Sequence, residues 1–234
     1  MHIEIWSDIV CPWCYIGKRR LETALADFDH AEEVDVIWRS FQLDPSSPRE
    51  ASESIAEHLG HKYGGGVAAG RQMIAKVSQV AAEEGLAFSY DDAQRASTVD
   101  AHRLLHLALA EGGPERQGAL KERLLESYFV RAENPADAGV LRAVAVAAGL
   151  PEQRVDDVLA SDEYADAVDA DQQQAVAYGA SGVPFYVVDH KYGVSGAQPA
   201  EVFGQVLERA WNESHPAVQV LATSDACGPE GCAV

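Results

Sequence analysis

The chemistry of this chain is concentrated in Cys11-Pro12-Trp13-Cys14, two thiols three residues apart near the start of the sequence. A thiolate is a nucleophile toward sulfur and a ligand for soft metals, so the pair suits disulfide exchange or metal capture. Three residues along a helix bring two sulfurs together across one turn, close enough for a bridge. A strand pattern leads directly into the pair and a helical pattern succeeds it. Cys11 therefore falls at the positive end of a helix, where unpaired N–H groups favour an anion and should lower its thiol pKa. Pro12 suits a first helical turn, whose N–H has no internal partner. Cys14, one turn in, should be the more buried, resolving thiol. The competing reading is half of a zinc site. Zinc needs four ligands, only Cys227 and Cys232 could complete the set, and zinc knuckles sit in tight turns rather than at a strand-to-helix junction.

The second pair, Cys227 and Cys232, encloses Gly228-Pro229-Glu230-Gly231, which can form a tight loop. Such a loop could close a disulfide without strain; the alternatives are incidental thiols in a tail or weak metal capture. His102 and His106 are spaced i, i+4 but lack the adjacent Glu of a His-Glu-x-x-His site, and so read as helix-face or domain-interface residues. Gly64-Gly65-Gly66 has no preceding strand and no following Lys-Ser/Thr, so it is a linker rather than a phosphate loop. Asp91-Asp92 and Glu83-Glu84 read as helix-end charges. No metal site and no cofactor is called for.

The elements that must position the cysteines are set by hydrophobic periodicity. Ile3, Ile5 and Trp6 open a strand, residues 12–28 form a helix, and 34–38 form a second strand, a β–α–β pattern that requires a parallel crossover. From about 50 to 178 strand signal all but vanishes. Helices are drawn at 51–59, 67–84, 94–111, 114–132, 137–148, 151–159 and 162–179, with breaks at Gly112-Gly113-Pro114 and Gly149-Leu150-Pro151. Residues 185–188 and 192–195 form a hairpin and 199–211 a last helix. The fold class is α/β: residues 1–48 and 180–215 make one small sheet domain, 49–179 an inserted helical domain, and 216–234 a tail.

The net charge of −19 argues against nucleic acid and against an anionic membrane, both of which need clustered cations. No apolar run is long enough to span a bilayer. The N-terminal segment reads as a strand rather than a secretory signal, which predicts a cytoplasmic protein.

Trp6-Ser7-Asp8-Ile9-Val10-Cys11-Pro12-Trp13-Cys14-Tyr15-Ile16-Gly17 resembles the active-site segment of the FrnE-like branch of the DsbA family. So do Arg39-Ser40-Phe41-Gln42-Leu43-Asp44-Pro45, Gly182-Val183-Pro184-Phe185 and Ser195-Gly196-Ala197-Gln198, which extends the resemblance over nearly the whole chain. It implies a thioredoxin-like fold with a large all-helical insertion, and a thiol–disulfide oxidoreductase or isomerase acting on protein or small-molecule thiols and disulfides. It further implies that Pro184 is a cis proline facing the cysteines, with Val183 offering backbone groups to substrate. Glu4 becomes the candidate for the buried proton-shuttling carboxylate of thioredoxins, and Cys227/Cys232 for a second redox pair. Kappa-class glutathione transferases and 2-hydroxychromene-2-carboxylate isomerases share the architecture, but they typically carry Ser at the position of Cys11 and lack the resolving cysteine.

Overall fold

The computed structural model describes residues 1–50 and 53–216, together with the backbone of 227–228 and 231–232. Strand β1 (His2–Ser7) leads into helix α1 (Pro12–Ala26), and β2 (Asp35–Ser40) returns parallel to β1 with Trp38 opposite Ile5. Six helices come next: α2 (Ile55–Tyr63), α3 (Gly66–Glu83), α4 (Val99–Phe129), α5 (Ala138–Ala147), α6 (Glu152–Leu159) and α7 (Ala165–Ala177). The chain then adds β3 (Phe185–Val188), antiparallel to β1, hairpins into β4 (Tyr192–Ser195), and ends its sheet domain with α8 (Ala200–Ser214). The sheet order is β2-β1-β3-β4. In the tail, β5 (Cys227–Gly228) pairs with β6 (Gly231–Cys232), which sets the backbone of Cys227 opposite that of Cys232.

Side-chain alternation along β1 builds two different cores. Ile3 and Ile5 pack on one face with Leu21 and Phe28 of the α1 region and Phe203 and Leu207 of α8. Trp6 turns to the other face and meets Ala175 of α7, Phe185 and Val187. The largest core lies within the helical block, yet it includes Ile9, Tyr15 and Ile16. The first turns of α1, which carry the cysteines, are therefore gripped by the inserted helices.

Two features of the block fix how it meets the sheet. Helix α4 is broken at Gly113, whose φ of +68° is left-handed, with Pro114 next. Its arms fold back on each other, since the Gln117 side chain donates to the Leu105 carbonyl at 3.3 Å, whereas twelve residues of straight helix would separate them by about 18 Å. The first arm starts at Val99 rather than at 94, because the preceding backbone is used elsewhere: Ala93 accepts from Ile55, and Ser97 donates to Pro48. The second feature is the covered edge of β2. Trp38 donates to Gln117 Oε1 and accepts from its Nε2, both at 2.8 Å, while Ser40 N–H donates to Asp171 Oδ2 at 2.7 Å. Side chains thus stand where a fifth strand would pair. Among the described residues no helix is long and apolar enough to cross a membrane.

Candidate active site

Cys11 is the N-cap of α1 and Pro12 stands next to it in the first turn. The backbone N–H of Cys14 donates to the Cys11 carbonyl at 3.0 Å, which fixes the two thiols across one turn. Both cysteines are reduced and buried, Cys11 at 3% and Cys14 at 1% exposure. Trp13 between them is 44% exposed and marks the opening to solvent. Across from the pair the Val183–Pro184 peptide is cis, and the Cys11 thiol donates to the Val183 carbonyl at 3.5 Å.

Gly17 makes this approach possible. A Cβ there would lie 2.3 Å from the Tyr186 hydroxyl and 3.2 Å from Pro184 Cγ, so only glycine lets α1 sit this close to β3.

Behind the thiols lies a buried polar pocket. Asp8 accepts from the Ile9 and Leu43 N–H groups at 2.7 and 2.8 Å, and His102 Nε2 lies 3.3 Å from its Oδ1. Burial alone would raise the Asp8 carboxyl, but His102 and the Leu43 amide outweigh it and hold the group down. Burial pushes the His102 imidazole down despite the carboxylate beside it. The pair is therefore a carboxylate and a neutral imidazole at neutral pH, with the proton on Nε2. Lys121, fully buried on the second arm of α4, is pushed down to about 8 by burial, against the pull of Cys14 and Asp8.

The thiols titrate together. Burial opposes the Cys14 anion, but the adjacent Cys11 thiol, the Lys121 charge and nearby Ser7 prevail and hold Cys14 down. Cys11 is pushed up, first by the Cys14 sulfur and then by burial. The pair thus shares one charge between its two sulfurs. In the protonated form Cys11 is held by the carbonyl acceptor at Val183.

The proton-shuttle reading of Glu4 is corrected. Glu4 alternates with Ile3 and Ile5 and so faces the α7 side of the sheet, away from α1. There it accepts from Arg39 Nε at 2.8 Å and lies 3.1 Å from His190 Nδ1. The groups near Cys14 are instead Ser7, Asp8 and Lys121, with His102 against Asp8. Of these the sequence drew notice only to His102, by its i, i+4 spacing with His106. Both sit at the interface between helical block and sheet domain: His102 is fully buried against Asp8, and His106 lies 3.0 Å from Ser40 Oγ and 3.2 Å from Asp171. The side chains of Cys227 and Cys232 lie outside the described residues. Among the described residues, no three of His, Cys, Asp or Glu gather as metal ligands.

Comparison with known proteins agrees with this geometry. The profile of a family described as a DSBA-like thioredoxin domain matches residues 2–208. A probable DsbA oxidoreductase from Streptomyces coelicolor is 45% identical, with 100% of this chain and 99% of that one covered and a TM-score of 0.85. The cytosolic disulfide reductase DsbM from Pseudomonas aeruginosa (16% identity, 92% and 98% coverage, TM-score 0.58) shares the fold. So does a 2-hydroxychromene-2-carboxylate isomerase (11%, 92% and 98%, TM-score 0.69). An uncharacterised Bacillus subtilis protein, YwbO, is 41% identical over 46 residues, which span 20% of this chain and 21% of that protein.

Proposed function

The chain belongs to the DSBA-like thioredoxin domain family, and from that premise we propose that it is a thiol–disulfide oxidoreductase working through Cys11 and Cys14. The observation that carries this reading is the Cys11 thiol at a helix N-cap, 3.5 Å from the carbonyl that precedes a cis proline, with Cys14 one turn behind. Val183 offers an extended substrate its backbone, and Trp13 offers an apolar exposed surface beside the sulfur.

In the reducing direction the Cys11 thiolate attacks a substrate disulfide, the substrate sulfur–sulfur bond breaks, and the departing sulfur takes up a proton from solvent. The mixed disulfide on Cys11 is then broken by the Cys14 thiolate, which forms the Cys11–Cys14 bridge and releases the second substrate sulfur. The reverse sequence oxidises a dithiol, and the two directions together isomerise disulfides. Cys227 and Cys232 act as a second pair that exchanges with the first; their facing backbone positions in the β5–β6 hairpin support this.

Insulin reduction is the direct test. Cys11→Ser should lose activity by at least about a hundredfold, as expected for removal of a nucleophile, while Cys14→Ser should accumulate a mixed disulfide on Cys11 visible by mass spectrometry. Unchanged turnover in Cys11→Ser would overturn the reading in favour of a transferase or isomerase of the 2-hydroxychromene type. Cys227→Ser that leaves both turnover and the redox state of Cys11/Cys14 unaltered would remove the second pair.

A further inference from the structure

The loop after β4 is tied to the segment that faces Cys11. Residues 195–198 turn sharply: Gly196 has a left-handed φ of +79°, and its carbonyl accepts from the Gln198 N–H at 2.9 Å. The Gln198 side chain closes the turn by donating to the Ser195 carbonyl at 2.8 Å. From inside this turn the Gly196 N–H donates to the Pro184 carbonyl at 2.8 Å. Where the loop sits therefore decides where Pro184 and Val183 sit.

Helix α1 meets the same loop. Gly17 and Arg20, three residues apart, share one face of the helix. A Cβ at Gly17 would lie 3.3 Å from Ala197 Cβ, and Arg20 Nη1 donates to the Ala197 carbonyl at 2.7 Å. Among the described residues this is the only side-chain hydrogen bond that reaches the loop from outside it. Nor does Arg20 hang free. Its Nε donates to Glu84 Oε1 at 2.6 Å, and Glu84 is the C-cap of α3 in the helical block. Both side chains are half-buried. Held through two different nitrogens, the planar guanidinium is fixed in direction as well as in place, and each bond is charge-assisted.

The contacts run from Glu84 through Arg20 to Ala197, and from Gly196 to Pro184. Beside Pro184 stands the Val183 carbonyl, 3.5 Å from the Cys11 thiol. An extended substrate that docks on the Val183 backbone needs that backbone in one position. If the loop shifts, the apparent affinity falls with the fraction of molecules in which the segment is out of place.

We propose that Arg20 is a positioning residue for substrate docking: anchored by Glu84, it holds the 195–198 loop and, through it, the Val183–Pro184 segment in register with Cys11. This rests on the oxidoreductase reading of the cysteine pair. Docking on the backbone is the same before and during attack by Cys11, so its weakening should appear in KM rather than in kcat.

The test uses the intact chain, a disulfide-bonded peptide and bis(2-hydroxyethyl) disulfide, which has no peptide backbone to dock. Arg20→Met keeps an apolar stem and removes the donors. KM for the peptide should rise at least about fivefold with kcat changed less than about twofold, as expected for lost uniform binding. The ratio of kcat/KM for the peptide to that for the small disulfide should fall in step. An unchanged KM, or equal losses on both substrates, would overturn the proposal. Exchange of the Gly196 amide with deuterium, followed by NMR, should quicken about tenfold or more in Arg20→Met while the amides of β1 keep their protection, as local opening requires; unaltered exchange would also overturn it. Where Arg20→Met does not fold, Glu84→Ala, which leaves Arg20 but frees it from its anchor, should move KM and Gly196 exchange in the same directions. Turnover that does not depend on Cys11 sinks the functional reading, and faster Gly196 exchange then leaves the anchoring of the loop standing. A chain that needs Cys11 and keeps its KM in Arg20→Met sinks the docking role alone.

Discussion

A buried imidazole kept neutral has a signature in stability. The unfolded chain lets His102 take up a proton near its ordinary value of 6.5, whereas the folded chain resists it because burial pushes the group down. Its contribution is therefore complete above that value and is lost as pH falls below it, by up to about 1.4 kcal/mol per pH unit. Asp8 has the same sign at lower pH: held down in the fold, it stabilises above the carboxylate range and ceases to as pH falls through its folded value. Urea midpoints measured from neutral to mildly acidic pH should fall more steeply for the wild type than for His102→Gln. The cysteine motif was legible in sequence because everything that defines it, strand, thiols and helix start, lies within about fifteen consecutive residues. Ser7, Asp8 and Lys121 were not legible, since a lysine on a helix announces nothing until another arm of the chain closes over it. Glu4 was misread for a related reason: alternation divides β1 into two faces but does not say which face α1 will cover.

At the scale of elements, two contacts carry the placement of the site. Gly17→Val would drive a side chain into Tyr186 and Pro184. It should cost about 1–3 kcal/mol, as overpacking does, and lower insulin reduction by more than thermal stability alone accounts for, because it shifts the Pro184 segment from Cys11. Calorimetry beside the activity assay checks both parts. Gln117→Ala would leave the Trp38 N–H and carbonyl unpaired at a buried sheet edge, at a cost of about 2 kcal/mol or more, and light scattering near the unfolding midpoint should rise as β2 is uncovered. The break in α4 was readable in Gly112-Gly113-Pro114, where glycine permits a left-handed residue and proline ends the hydrogen-bond ladder. The late start of that helix was not, because the backbone of Ala93 to Ser97 is hydrogen-bonded to partners some forty residues earlier.

Across the whole molecule, sheet and helical block share buried polar bonds. Trp6 Nε1 donates to the Asp171 carbonyl at 2.7 Å, and the Asp171 carboxylate receives Ser40 N–H and lies 3.5 Å from Arg39. Tryptophan fluorescence and far-ultraviolet dichroism should consequently report one coincident unfolding transition; a helical block that melts separately from the tryptophan signal would contradict this. The same interdependence has a meaning in time. The thiols are made before Val183 and Pro184, which face them and come about 170 residues later, an interval of about 10 to 30 s at ordinary rates of synthesis. Throughout it the nascent chain carries two cysteines without the carbonyl and the cis proline that face them. The pair is therefore an ordinary dithiol at first and gains its tuned chemistry only once the Val183–Pro184 segment has been made.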